Sequence, residues 1–125
     1  MARPPDAKAS EAERQAVAVF TALADPTRRA LLNELARRGP ATVSDLARAL
    51  PITRQGVAKH LEQLADAGLV RMDEPSGRRH PYRLDPAPIR AAQGWLAALA
   101  TDWDDRLSAL THYLDSNGDG SQTIR

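Results

Sequence analysis

No cysteine occurs among the 125 residues, which excludes disulfides, thiolate nucleophiles and thiolate metal sites, so any metal would rest on nitrogen and oxygen ligands. The three histidines, His60, His80 and His112, fall on three different predicted elements. There is no glycine-rich phosphate loop and no serine in a nucleophile-elbow pattern, so no enzyme activity, catalytic residue or cofactor is expected. No run of about 18 apolar residues is present to cross a bilayer. Pro4, Pro5 and Asp6 stand where a signal peptide would need an apolar stretch. The expectation is a soluble cytoplasmic protein with no membrane partner.

The chain also lacks a strong net charge, at +1, yet its charges are segregated. Residues 53–83 hold six basic side chains (Arg54, Lys59, Arg71, Arg78, Arg79, Arg83) against four acidic ones (Glu62, Asp66, Asp73, Glu74). Residues 99–119 reverse this, with Asp102, Asp104, Asp105, Asp115 and Asp119 against Arg106. One end could face a polyanion and the other could not; ordinary surface charge gives the same count. With 42% hydrophobic and 26% charged residues, the length suits one compact domain with a modest core. Residues 13–116 are expected to form it, between a flexible N-terminal arm at 1–12 and a disordered tail at 117–125.

Apolar residues at helical spacing over Glu13–Ala24 predict a first helix, with Ala16, Val17, Phe20, Leu23 and Ala24 on one face and Val19 adding a second. Asp25-Pro26 ends it and starts another, with Asp25 as N-cap and Pro26 at the first helical position. Leu31, Leu32 and Leu35 carry that helix to Arg38, where Gly39-Pro40 stops it. Arg28, a cation in a first turn, needs an acidic or phosphate partner, and a structural salt bridge is the simpler choice.

Thr42-Val43-Ser44-Asp45 has capping-box spacing, and Val43, Leu46, Ala47 and Leu50 then mark a short amphipathic helix. After Pro51-Ile52, Thr53 can cap a longer helix striped by Val57, Leu61 and Leu64 and closed by Gly68. Short helix, turn, longer helix is the outline of a helix-turn-helix unit. From Leu69 the period changes to two, and a second stretch ends at Tyr82-Arg83-Leu84. With Pro75-Ser76-Gly77 as turn signal, this predicts a hairpin with Arg78 and Arg79 at its tip and Pro81 confining the second strand to an edge. A last helix starts at Asp85 or Pro86 and carries Ile89, Ala92, Leu96, Leu99, Trp103, Leu107, Leu110 and Leu114 in steps of three or four. So small a core cannot cover that stripe as well as the doubly apolar first helix. A homodimer is therefore expected, with Val17, Phe20, Ile89, Leu96, Leu99, Trp103, Leu107, Leu110 and Leu114 at its interface. Trp95 and Trp103 read as core or interface aromatics rather than ligand stackers.

The chain resembles the ArsR/SmtB family of bacterial winged-helix repressors from about Val19 to Leu114. The resemblance rests on Ala22-Leu23-Ala24-Asp25-Pro26-Thr27-Arg28-Arg29, Val43-Ser44-Asp45-Leu46-Ala47, Gln55-Gly56-Val57-Ala58-Lys59-His60-Leu61, Ala67-Gly68-Leu69-Val70 and Gly77-Arg78-Arg79, in that order. It implies a mainly α fold of five helices with a two-stranded β wing, a dimer built from the first and last helices, and repression by operator occupancy. The third helix lacks the paired cysteines of the founding metal sensors. A second family site, on the last helix, would need Asp-x-His followed ten residues later by His-x-x-His or Glu. Here Asp102-x-Asp104 precedes His112-x-x-Asp115 with seven residues between and one imidazole. The chain thus looks like a branch of the family without a recognised metal site, and no metal ligand is assigned.

The partner implied is a double-stranded DNA operator of pseudo-palindromic form; the sequence names no small-molecule or metal effector. A helix in the major groove shows its first turns to base edges, which makes Arg54, Gln55, Ala58 and Lys59 the reading positions. Arginine pairs bidentately with guanine and glutamine with adenine, while Ala58, where many relatives have serine, offers a methyl. Thr53 and Ser44, at helix starts, suit phosphate oxygens, although Thr53 is first a cap. Arg78 and Arg79 would reach the adjacent minor groove or its phosphates. His60 reads equally as a phosphate contact or a half-buried histidine bonded to backbone. Two other readings stay open: a winged-helix module that binds protein, and a metal-responsive repressor with an oxygen/nitrogen site on the last helix.

Overall fold

The computed structural model describes the backbone of residues 7–124 and the side chains of residues 11–117. The elements run α1 (Ala7–Leu23), α2 (Pro26–Arg38), α3 (Val43–Ala49), α4 (Arg54–Asp66), β1 (Val70–Met72), β2 (Tyr82–Leu84) and α5 (Ala87–Ile124). They divide into two compact units, Met1–Ala92 and Gln93–Arg125. This is the mainly α architecture with a two-stranded antiparallel wing that the sequence leads one to expect.

Capping chemistry places the helix ends of the first unit. The Asp25 carboxylate accepts from the backbone N–H of Thr27 at 2.7 Å and of Arg28 at 3.3 Å, with Pro26 opening α2. At α3 the capping box is closed both ways: Asp45 N–H donates to Thr42 Oγ1, and Thr42 N–H to Asp45 Oδ2, each at 3.0 Å. At the far end of α4, Gly68 N–H donates to the Ala65 carbonyl and Leu69 N–H to that of Leu64, both at 2.9 Å, the Schellman arrangement. It needs a left-handed residue between, and Gly68 supplies φ +76°.

The core gathers Ala16, Val19 and Ala22 of α1, Leu31, Leu32 and Leu35 of α2, Leu46 of α3, Val57, Leu61 and Leu64 of α4, and Leu69 and Val70 at the root of the wing. On α1 the core takes Ala16 from the first predicted face together with Val19 of the second, while Val17, expected at the dimer interface, is half exposed. Two alanines flanking Val19 let α1 lie close on α2, which a stripe led by Phe20 would not.

The hairpin pairs Val70 with Leu84, Arg71 with Arg83 and Met72 with Tyr82. The second strand departs from the edge position expected of it. Tyr82 exchanges both backbone hydrogen bonds with Ala41, at 2.8 and 3.0 Å, so β2 is flanked on both sides there. Pro81 does not interfere because it lies one residue before the strand, and its carbonyl accepts from Asp73 N–H.

Helix boundaries differ at the chain ends. α1 begins at Ala7 rather than Glu13, because Ala, Lys and Glu extend a helix without adding to an apolar stripe. α5 runs on to Ile124. The expected arm and tail therefore overlap helical backbone, and their remainders lie outside the described residues. In the second unit the helix carries a stripe of exposed apolar side chains, Leu96, Trp103, Leu107, Leu110 and Leu114, with Leu99 partly covered. Trp103 is therefore not a core aromatic within one chain. Among the described residues no helix is long and apolar enough to cross a membrane.

Leu61 has no exposed surface. Truncation to alanine leaves a cavity under α4, and Leu61→Ala is expected to lower unfolding free energy by about 2–5 kcal/mol in denaturant titration.

Candidate nucleic-acid interface

Val57, Leu61 and Leu64 recur at i, i+4 and i+7, and all three are fully buried. That fixes the rotation of α4, whose remaining surface must face out: Thr53, Arg54, Gln55, Ala58 and Lys59 are all exposed. Thr53 Oγ1 accepts from Gly56 N–H at 3.0 Å, so the threonine is a cap, as its sequence position indicates. Space at Gly56 is tight. A Cβ there would meet Ile52 Cγ2 at 3.0 Å and Thr53 Oγ1 at 3.2 Å, pressing on both the α3–α4 turn and the cap. Ser44 is half-buried in the first turn of α3.

Arg28 holds α4 to the first two helices. Its Nε donates to the Ala22 carbonyl at 2.8 Å, Nη2 to that of Thr21 at 3.0 Å and Nη1 to Gln63 Oε1 at 2.6 Å. Arg29 adds a bond to the Leu23 carbonyl at 2.6 Å. The cations of one helix thus satisfy the C-terminal carbonyls of the preceding one, where the dipole favours positive charge. The Asp25 carboxylate, 3.7 Å from Arg28, is the weaker part of the arrangement, so the expected salt bridge is present without being the main partner. Burial pulls the pKa of Asp25 upward, but the Thr27 and Arg28 N–H groups and the charges of Arg28 and His60 outweigh it and leave it lowered. His60 is half-buried, as one reading had it, but its Nδ1 is buried without any hydrogen bond, so no backbone partner explains it.

The wing turns through Ser76-Gly77-Arg78-Arg79, closed by Ser76 N–H to the Arg79 carbonyl at 3.1 Å and Arg79 N–H to that of Ser76 at 2.9 Å. Gly77, at φ +62°, occupies the first central position, the pattern of a two-residue turn. Arg78 is therefore the tip. Arg79, bridged to Ser76, stands just past the turn and before β2, and its Nη2 donates to Asp45 Oδ2 at 2.7 Å.

Asp45 is the buried charged side chain among the described residues, 6% exposed. Beyond closing the capping box it accepts from Arg48 Nη2 at 2.8 Å on Oδ1, while Arg79 takes Oδ2. The Thr42 backbone N–H, then the Arg79 guanidinium and the Thr42 hydroxyl, overcome the effect of burial and hold its pKa at about 2. The sequence showed the cap but neither ion pair. Arg48 at i+3 from Asp45 was a readable signal, whereas Arg79 lies 34 residues on.

The basic count of residues 53–83 divides accordingly. Arg71 lies 3.8 Å from Asp85, Arg83 3.7 Å from Asp73, and Arg79 is taken by Asp45. Arg71 and Arg83 face each other across the hairpin, and each relieves that repulsion on a diagonal carboxylate. Within the described residues no hydrogen bond or ion pair engages the side chain of Arg54, Gln55, Lys59 or Arg78. Also among them, no group of three or more metal-capable side chains comes together, and Asp102 is paired with Arg106 at 3.0 Å.

Helix-turn-helix, hairpin wing and an outward, uncommitted polar face on α4 define a winged-helix DNA-binding protein. A helix-turn-helix domain family matches residues 23–73. The HTH-type transcriptional regulator Rv2034 of Mycobacterium tuberculosis is 45% identical over 80% of this chain and 89% of its own length. An ArsR-like transcriptional regulator from Rhodococcus sp. RHA1 superimposes with a TM-score of 0.77 at 37% identity, covering 82% of this chain and 93% of that one. The homodimeric winged helix-turn-helix DNA-binding domain of Mb0332 from Mycobacterium bovis gives a TM-score of 0.60 at 29% identity, covering 82% and 91%. The chain belongs to the ArsR/SmtB family of winged-helix transcriptional regulators. It is a DNA-binding transcriptional regulator, a non-enzymatic class.

Because the folded pKa of Asp45 lies below its ordinary 3.8, its contribution to stability is complete above about pH 4 and lost as pH falls toward 2. Acid titrations of unfolding should show a shallower loss of stability over that window in Asp45→Asn than in the parent.

Proposed function

We propose that the chain represses transcription by binding, as a homodimer, a pseudo-palindromic operator with α4 in the major groove. The supporting observation is the two-sidedness of α4, with Val57, Leu61 and Leu64 fully buried behind exposed Arg54, Gln55, Ala58 and Lys59. Arg54 and Gln55 read base edges, Ala58 offers a methyl or close approach, and Lys59 adds a further donor. Thr53 and Ser44 contribute backbone-positioning contacts at the helix starts, and Arg78 enters the neighbouring minor groove or meets its phosphates. His60 is the weakest member of the set, being turned partly inward.

Dimerisation is supported by the apolar surface that each unit leaves uncovered: Val17 at 50% exposure in the first, and Trp103, Leu107, Leu110 and Leu114 at 51–61% in the second. Phe20, Ile89, Leu96 and Leu99 complete the proposed interface. The Mb0332 domain, similar in fold, is homodimeric. Two copies related by a two-fold axis meet half-sites separated by about 10 to 10.5 bp or a multiple of it.

Sequencing the fragments that the purified protein selects from its own genomic DNA should yield an imperfect palindrome with that spacing. Selection no better than random would refute operator recognition. Within the operator, Gln55→Ala and Arg54→Ala should each cost about 1–3 kcal/mol of discrimination at single base positions while leaving binding to random DNA nearly unchanged. In sedimentation analysis Leu107→Glu with Leu110→Glu should shift the protein to monomer; a wild type that sediments as monomer at micromolar concentration would exclude the dimer.

A further inference from the structure

A groove of about 450 Å³ lies between α3 and the wing, lined by Ser44, Asp45, Arg48, Arg78 and Arg79 among others. Three guanidinium groups and one carboxylate line it, so the groove is locally cationic. The carboxylate is buried and takes one N–H from each of two arginines, Arg48 on Oδ1 and Arg79 on Oδ2. Each guanidinium carries five N–H donors, so both keep most of them free. Their side chains are 71% and 58% exposed, which leaves those donors in solvent. An acid holding two arginines by their inner edges, with the outer edges open, is an arrangement suited to a tetrahedral oxyanion. The arginines are also pre-ordered, so an incoming anion does not have to restrict two long side chains.

We propose that this groove is a binding site for a phosphodiester of the DNA backbone, in which Arg48 acts with Arg79 and Asp45 positions both. It rests on the operator-binding reading and adds to it a contact residue outside both α4 and the wing tip. Continuity supports DNA as the source of the phosphate: α4 packs against α3, so the helix carrying Arg48 and Asp45 adjoins the helix that meets the bases, and Arg79 is tied to α3 through Asp45. Asp45 is a positioning residue and touches no DNA.

The test is a salt series of anisotropy titrations with the full chain and a duplex it selects. Each phosphate contact contributes about 0.9 to the slope of log K against log salt. Arg48→Ala should reduce the slope by about 1, leave the melting temperature and the ranking of duplex sequences unchanged, and be rescued by Arg48→Lys. Asp45→Asn makes a test of sign. It removes a negative charge, so simple electrostatics predicts tighter binding, whereas loss of positioning predicts weaker binding. An unaltered slope in Arg48→Ala would overturn the site, and equal or tighter binding by a folded Asp45→Asn would overturn the positioning role. Should Asp45→Asn fail to fold, the Arg48 slope still decides. Failure of the wild type to prefer any duplex would instead remove the operator-binding reading itself.

Discussion

One-sided burial of α4 is the constraint on which the rest of this structure depends. Three side chains at i, i+4 and i+7 have no exposed surface, and turning the helix by one residue would replace them with Ala58, Glu62 and Ala65 or with Gly56, His60 and Gln63, smaller or polar groups in each case. The face that meets solvent is thus determined by what the core accepts. The ends of the helix are set with comparable economy, by Thr53 over Gly56 at the start and by the Gly68 arrangement at the finish. Arg28 then joins the helix to its neighbours through Gln63 without engaging Arg54, Gln55, Ala58 or Lys59.

Electrostatics on this chain is a matter of commitment more than of total charge. A net charge of +1 says little about a polyanionic partner. Once Arg71, Arg79 and Arg83 are assigned to Asp85, Asp45 and Asp73, the unassigned cations of the segment are Arg54 and Lys59 on α4 and Arg78 at the wing tip. Exposed pairs such as Arg71 with Asp85 contribute little to stability and mainly remove charge from circulation. Asp45 differs because it is buried, ionised at any ordinary pH and shared between the α3 segment and the wing.

The features readable from sequence were those written in short spacing. Asp25-Pro26, the Thr42–Asp45 box, the Thr53 cap and the Gly68 stop each depend on residues within four positions, and every one occurs as expected. Long-range partners were not legible: nothing in local spacing joins Arg79 to Asp45, Arg28 to Gln63, or Tyr82 to Ala41. On α1 the sequence showed two apolar faces, and the core takes Ala16, Val19 and Ala22, small side chains that weigh less in a hydrophobic pattern than Phe20. At the chain ends, helix propensity without an apolar stripe carried α1 and α5 beyond the expected limits. For the proposed site, the exposure of the α4 residues followed from periodicity alone. The distinct roles of Arg78 and Arg79 needed coordinates.

Amide chemical-shift mapping of the full chain, titrated with a duplex from its own upstream region, tests the central claim most directly. The account predicts the largest perturbations over Arg54–Lys59, with a second group at Arg78 and the α3–wing groove, while Leu61 and Leu64 move little. Perturbations confined to α5, with Arg54, Gln55 and Lys59 unmoved, would contradict it.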